Sequence, residues 1–238
     1  MSEFYVGYLP KAPESIRRAL RPMVFAMCGG VIALALLLVF GQQPFASSTF
    51  EFLQYRDYTG RIVDSPYPTL LTSNGPLLLV APGKHGAGEL IRGYNRQSVQ
   101  LRGSLIRRDA DSMIEVLPGS IHSVSAPAPP EQVTDLGAVT LSGEIVDSKC
   151  HFGVMNPGNG KVHRDCAARC LSGGIPPAFL VKDASGEPRS LLLADVHSRE
   201  IIDFVAEPVR IQGWLRRSAG TLILAVDRSG NKPAIARH

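Results

Sequence analysis

Thr59-Gly60-Arg61-Ile62-Val63-Asp64-Ser65 and Ser142-Gly143-Glu144-Ile145-Val146-Asp147-Ser148 are two versions of one phrase, and together they divide the chain into related halves. Each opens on a small polar residue and glycine, passes through a β-branched pair and stops at Asp-Ser, as a strand running into a turn would. Three further blocks follow in the same order. Leu77-Leu78-Leu79-Val80 answers Leu191-Leu192-Leu193-Ala194, and Val99-Gln100-Leu101-Arg102-Gly103 answers Val209-Arg210-Ile211-Gln212-Gly213. Met113-Ile114-Glu115-Val116 then answers Leu222-Ile223-Leu224-Ala225-Val226, with Arg107-Arg108 and Arg216-Arg217 just ahead of them.

The second half reads as strands over 139–148, 177–182 and 189–195, a short helix over 198–205 with Ser198 as its N-cap, and strands over 208–217 and 221–227. Five strands with a helix between the third and fourth is the element order of an OB-type barrel. The first half has the same order, with 83–94 as a looser helical or turn segment. The predicted fold is therefore mainly β: one N-terminal transmembrane helix followed by two tandem OB-like five-stranded barrels. Domain 1 is expected over 50–124 and domain 2 over 137–238, joined by a linker over 125–136 that opens Ser125-Ala126-Pro127-Ala128-Pro129-Pro130.

Upstream of both halves, Met23–Phe40 is an uncharged apolar run of 18 residues. A helix of that length spans roughly 27 Å, close to the hydrocarbon core of a bilayer. Lys11, Arg17, Arg18 and Arg21 precede it and the next basic residue is Arg56, so the positive-inside rule leaves residues 1–22 in the cytoplasm. The expected location is a bacterial inner membrane, crossed once over 23–41, with the C-terminal domains in the periplasm. A cleaved signal peptide, with Ala46 and Ser48 at its cleavage positions, is the competing reading. The long apolar run and long N-terminal region oppose it. Ala26/Gly30 and Gly29/Ala33 form small-xxx-small pairs suited to close helix approach. With the aromatic tail Glu3–Pro10, they point to protein partners engaged through the helix and the N-terminus.

Over its 238 residues the chain is 45% hydrophobic and 19% charged, with a net charge of +4 carried by 19 Arg and 6 Lys. Part of that charge flanks the apolar run, so it is no nucleic-acid footprint. OB barrels that bind single strands use aromatic platforms. Trp214 is the only tryptophan, and nucleic acid is not an expected partner. Gly83-Lys84-His85-Gly86 lacks the spacing of a phosphate loop. His122, His197 and His238 are isolated, and no catalytic or cofactor-binding constellation stands out.

The chemistry is confined to Lys149–Pro176, inserted between the first two strands of the second half. It holds Cys150, His163, Cys166 and Cys170 within 21 residues, whereas the first half has no cysteine. Asn156–Gly160 reads as turn, and Val162–Leu171 as a helix closed by Gly173 and Gly174. At 100° per residue, His163, Cys166 and Cys170 fall within about 60° on one helical face. Cys150 arrives from a strand end, with His151 and Met155 as further donors. Three chemistries fit: a disulfide from Cys150 to Cys166 or Cys170; a Zn or Cu site on Cys150, His163, Cys166 and Cys170; or an exchanging redox thiol. Cys28, inside the apolar run, reads as a small apolar residue.

Gly143–Cys150, His163-x-x-Cys166-Ala167-x-x-Cys170 and Gly173-Gly174-Ile175-Pro176 resemble a pattern of membrane-anchored or exported bacterial OB-like proteins of unassigned function. The resemblance covers about 139–227 and implies a fold and a compartment, but no activity. A membrane-anchored exterior OB barrel also looks like the haem chaperone of cytochrome c maturation, but the His-x-x-x-Tyr haem attachment pattern is absent from this sequence. The functional expectation is a non-enzymatic accessory or scaffolding subunit of a membrane complex, with electron transfer as its setting. The alternative is a periplasmic metal-binding or thiol-redox protein acting through Cys150, Cys166 and Cys170.

Overall fold

The computed structural model describes residues 13–41, 48–127, 130, 132–183, 185–229 and 234–237. Two compact units emerge, Met1–Phe45 and Ala46–His238. The first contains helix α1, Glu14–Gly41, which covers the apolar run and is long and apolar enough to cross a membrane. At 1.5 Å per residue it measures about 42 Å. No residue of α1 is buried, Cys28 and the paired small residues included. Near its start an Arg17–Glu14 ion pair spans 2.7 Å. The tail Glu3–Pro10, Ala46 and His238 lie outside the described residues.

In the second unit, the first half forms β1 (Ser48–Phe50), β2 (Arg56–Val63), β3 (Thr69–Thr72), β4 (Gly75–Val80), β5 (Ser98–Arg108), β6 (Asp111–Val116) and β7 (His122–Ser123). Antiparallel ladders join β2 to β3, β3 to β4, β5 to β6 and β2 to β5. A parallel ladder between β4 and β6 closes the ring, giving a five-stranded barrel with β1 and β7 added to β5. Residues 83–94 are turns rather than helix.

The second half forms β8 (Val133–Asp147), β9 (Pro177–Lys182), β10 (Pro188–Ala194), β11 (Pro208–Ser218), β12 (Thr221–Val226) and β13 (Ile235–Arg237). Here β8–β9, β9–β10, β11–β12 and β8–β11 are antiparallel, and β10–β12 is parallel. Strand β8 starts at Val133, inside the stretch expected as linker.

The repeat extends to single residues. Gly60 lies opposite Val99 and Gly143 opposite Val209; Gly103 lies opposite Val116 and Gly213 opposite Val226. Leu78 faces Met113 and Leu192 faces Ile223, so Met113 corresponds to Ile223. A Cβ on any of these four glycines would collide with a carbonyl oxygen of the neighbouring strand: Leu71, Leu180, Glu115 or Ala225 in turn. The glycines therefore recur because backbone passes backbone there, not because the sites need positive φ.

Corresponding residues also fill the two interiors. Ile62, Leu70, Leu79, Val99, Leu101, Ile114 and Val116 line one; Ile145, Phe179, Leu193, Val209, Ile211, Leu224 and Val226 line the other. Each such side chain stabilises the fold by about 1.5–3 kcal/mol through burial. A third cluster joins the halves. Leu78, Val80, Ile106 and Met113 pack with Leu192, Ala194 and Ile223, and Cys150, Phe152, Cys170 and Ile175 sit in the same cluster. Apart from Ile106 on β5, the strand residues among them come from the two parallel pairs, whose outward faces alternate with the interior ones. The Tyr67 hydroxyl donates to Leu193 O, and the Ser190 hydroxyl to Asp111, across the same junction.

Candidate metal centre

Strand β8 ends at Asp147, and Ser148-Lys149 turn the chain into a single π-type turn, Cys150–Val154. Asp147 is fully buried and ties both ends of the loop that follows. One carboxylate oxygen accepts the Cys150 N–H at 2.8 Å, and the other is 2.9 Å from His163 Nε2. The loop returns over the π-type turn, where a Cβ on Gly158 would stand 2.6 Å from Cys150 O. A one-turn segment, Lys161–His163, then leads into helix α2, Arg164–Ser172. Gly173 ends that helix, its N–H reaching Arg169 O and Cys170 O at 3.1 Å. Gly174 follows at φ +89°, the left-handed conformation that favours glycine after a helix. The short helix α3, Ser198–Ile201, begins with Ser198, whose hydroxyl donates to Leu171 O at 2.7 Å. Ser198 thus fastens α3 to α2. The cap position is His197, whose N–H donates to Glu200 at 3.2 Å.

The insertion is not a free-standing appendage, because the first half grips it. Lys149 is buried to 3% exposure. Its ammonium donates to Ala81 O and Gly83 O at 2.9 and 2.6 Å and pairs with Glu115 at 2.5 Å. The loop it grips docks on the end of α2, with the Gly86 N–H donating to Gly173 O at 2.9 Å. That loop delivers Lys84, whose Nζ lies 2.8 Å from Cys166 Sγ and 3.4 Å from Cys170 Sγ.

Three sulfurs converge beneath Lys84. Cys150 Sγ is 4.0 Å from Cys166 Sγ and 3.9 Å from Cys170 Sγ. The disulfide expected from Cys150 is not formed, since an S–S bond measures about 2.05 Å, and all four cysteines are free. Thiolates around one tetrahedral zinc, at about 2.3 Å from the metal, stand about 3.8 Å apart. The observed separations match that edge. With Cys150 at 4% and Cys170 at 1% exposure, only the Cys166 side opens toward solvent.

His163 falls with Asp147 and Cys150 in a second group of donors, which shares Cys150 with the three sulfurs. The reason is local: His163 precedes α2 and belongs to the tighter turn before it, so the 100° phasing that aligns Cys166 with Cys170 does not extend to it. A histidine whose ring hydrogen-bonds a buried carboxylate is nevertheless the arrangement by which proteins orient a metal-binding imidazole. His151 is buried with Nδ1 unpartnered among the described residues, and Met155 is exposed.

The electrostatics separate the thiols. The Cys170 thiol is lowered, chiefly by a hydrogen bond from Cys150 and further by the Lys84 ammonium. Cys150, the reciprocal partner, is pushed up by that bond, by burial and by Asp147. The Lys84 ammonium is held charged above the usual lysine range, first by its contact with Cys166. Burial and the Arg108 charge push His151 down to about 4. The cluster thus offers three converging sulfurs and a charge-compensating cation, which suits a soft metal ion.

Asp147, Lys149 and Lys84 were not among the candidate residues read from the sequence. Asp147 and Lys149 flank Cys150 in the motif itself, and their polarity at the end of an apolar strand was the available signal. Lys84 had only an incomplete phosphate-loop pattern to announce it. No protein-family model, curated protein or solved structure matches the chain.

Proposed function

We propose that this chain is a membrane-anchored, non-enzymatic protein that holds one Zn²⁺ or Cu⁺ ion on Cys150, Cys166 and Cys170, with His163 oriented by Asp147 beside them. The observation that carries the reading is the pair of sulfur separations, 4.0 and 3.9 Å, near the edge of a thiolate tetrahedron and far from a disulfide. The pairing pattern of the second sheet supports reading it as a second OB-type barrel, so that the site is built where two barrels meet. The basic residues ahead of the apolar run, Arg17, Arg18 and Arg21 among them, support placing both barrels in the periplasm. The small-residue face of α1 supports a role as an accessory subunit of a membrane complex, with electron transfer as its setting.

The test is elemental analysis together with a thiol count on the full chain, purified in mild detergent from its native membrane. One zinc or copper per chain, lost in Cys166→Ser, is expected. Two oxidised cysteines without metal would replace this reading by a disulfide scaffold. Recovery of an isolated monomer would refute the subunit role.

A further inference from the structure

We infer that the turn Glu51-Phe52-Leu53-Gln54, which follows β1, is a lipid-binding loop: its two apolar side chains enter the headgroup layer of the bilayer that holds α1. This rests on α1 as a membrane anchor and is independent of the metal-site reading.

The Gln54 N–H donates to Glu51 O at 3.0 Å, closing a β-turn with Phe52 and Leu53 at its tip. Leu53 has φ +60°, the left-handed conformation that such turns ordinarily give to glycine or asparagine. A leucine is strained there, and its side chain is 61% exposed, so packing within the fold does not offset the strain. Phe52 is 60% exposed. Outside α1, these two are the only adjacent pair of large apolar residues so exposed among the described residues. Side by side on a strained turn, they mark a contact surface.

Reach is the first argument for lipid as the occupant. Helix α1 ends at Gly41 and β1 begins at Ser48, and seven residues of chain extend at most about 25 Å. So short a tether keeps the local concentration of the turn at the bilayer surface high. Charge is the second. Glu51 and Arg56, which flank the tip, pair with each other at 2.7 Å, so neither brings an unpaired charge to the interface. Composition is the third. Tyr55, two residues past the tip and 37% exposed, joins an apolar ring to a polar hydroxyl, as aromatic residues at membrane interfaces do. On the other side of the turn, Phe50 meets Phe52 edge-on at 5.3 Å and packs on the cluster that contains Cys150 and Cys170. Docking of the turn therefore brings the sulfur cluster to the membrane side of the fold.

The experiment uses the full chain in vesicles of phosphatidylethanolamine and phosphatidylglycerol, with Trp214→Phe as the background so that one introduced tryptophan reports. Leu53→Trp is compared with Val133→Trp, a position that is 59% exposed on β8 and pairs with Ser218 of β11. Lipids brominated near the headgroup end of the acyl chain should remove much of the Leu53→Trp emission, and lipids brominated near its methyl end should remove less. Val133→Trp should keep its emission with both, and Leu53→Trp should emit at shorter wavelength than Val133→Trp. Quenching of Leu53→Trp no greater than that of Val133→Trp overturns the inference alone, and leaves the turn facing water or a protein partner. Failure of the chain to float with the vesicles overturns the anchor and this inference together.

Discussion

Lys84 O lies against Gly173 so closely that any Cβ at position 173 would collide with it. This contact between a loop of the first half and the end of α2 in the second sets how far Lys84 can reach. Gly173 has φ −83°, so its requirement is space rather than backbone freedom. Gly173→Ala should therefore destabilise the chain by about 1–3 kcal/mol, the usual cost of overpacking. Denaturant unfolding checks this.

Lys149 and Glu115 form the most buried lysine–carboxylate pair among the described residues, at 2.5 Å with side-chain exposures of 3% and 14%. Lys149→Met removes the cation and leaves a nearly buried carboxylate with two backbone carbonyls unserved. A loss of about 3–5 kcal/mol is expected. The double variant Lys149→Met/Glu115→Gln should recover part of it, because the stranded charge is gone. A double-mutant cycle in urea measures both.

Gly103 and Gly213 hold the same place in the two sheets, each opposite the last residue of the following strand. A Cβ at Gly103 would stand 2.6 Å from Glu115 O, and at Gly213 it would collide with Ala225 O. Gly103→Ala and Gly213→Ala should each cost about 1–3 kcal/mol. Equal losses in thermal unfolding support two equivalent closures. A silent Gly213→Ala would count against a second barrel.

Asp111 accepts a hydrogen bond from the Ser190 hydroxyl across the junction, yet burial raises its pKa above the usual 3.8. The folded state therefore favours the protonated acid. That stability is fully present below the ordinary carboxyl value and is lost as pH rises through the raised one. Asp111→Asn should raise the melting temperature near pH 7 and change it little near pH 3, the amide oxygen still accepting from Ser190. Melting curves across that range test the sign.

The sequence alone carried whatever depends on local periodicity. The apolar run defines α1, the strand order follows from β-branched blocks between turn formers, and the matching of Gly60 with Gly143 and of Gly103 with Gly213 came from reading the repeat. The position of the cysteine insertion between β8 and β9 was legible for the same reason. The expected helix start at Val162 moves to Arg164, which leaves His163 in the tighter turn before α2 and beside Asp147. Only the tertiary structure decided what surrounds the thiols. Lys84 reaches Cys166, and Lys149 meets Glu115, because two folded halves press the faces of their parallel strand pairs together. Contacts between surfaces so far apart along the chain leave no spacing in the sequence to read. The same packing gives the sulfurs their separations of 4.0 and 3.9 Å, well beyond the length of a disulfide bond.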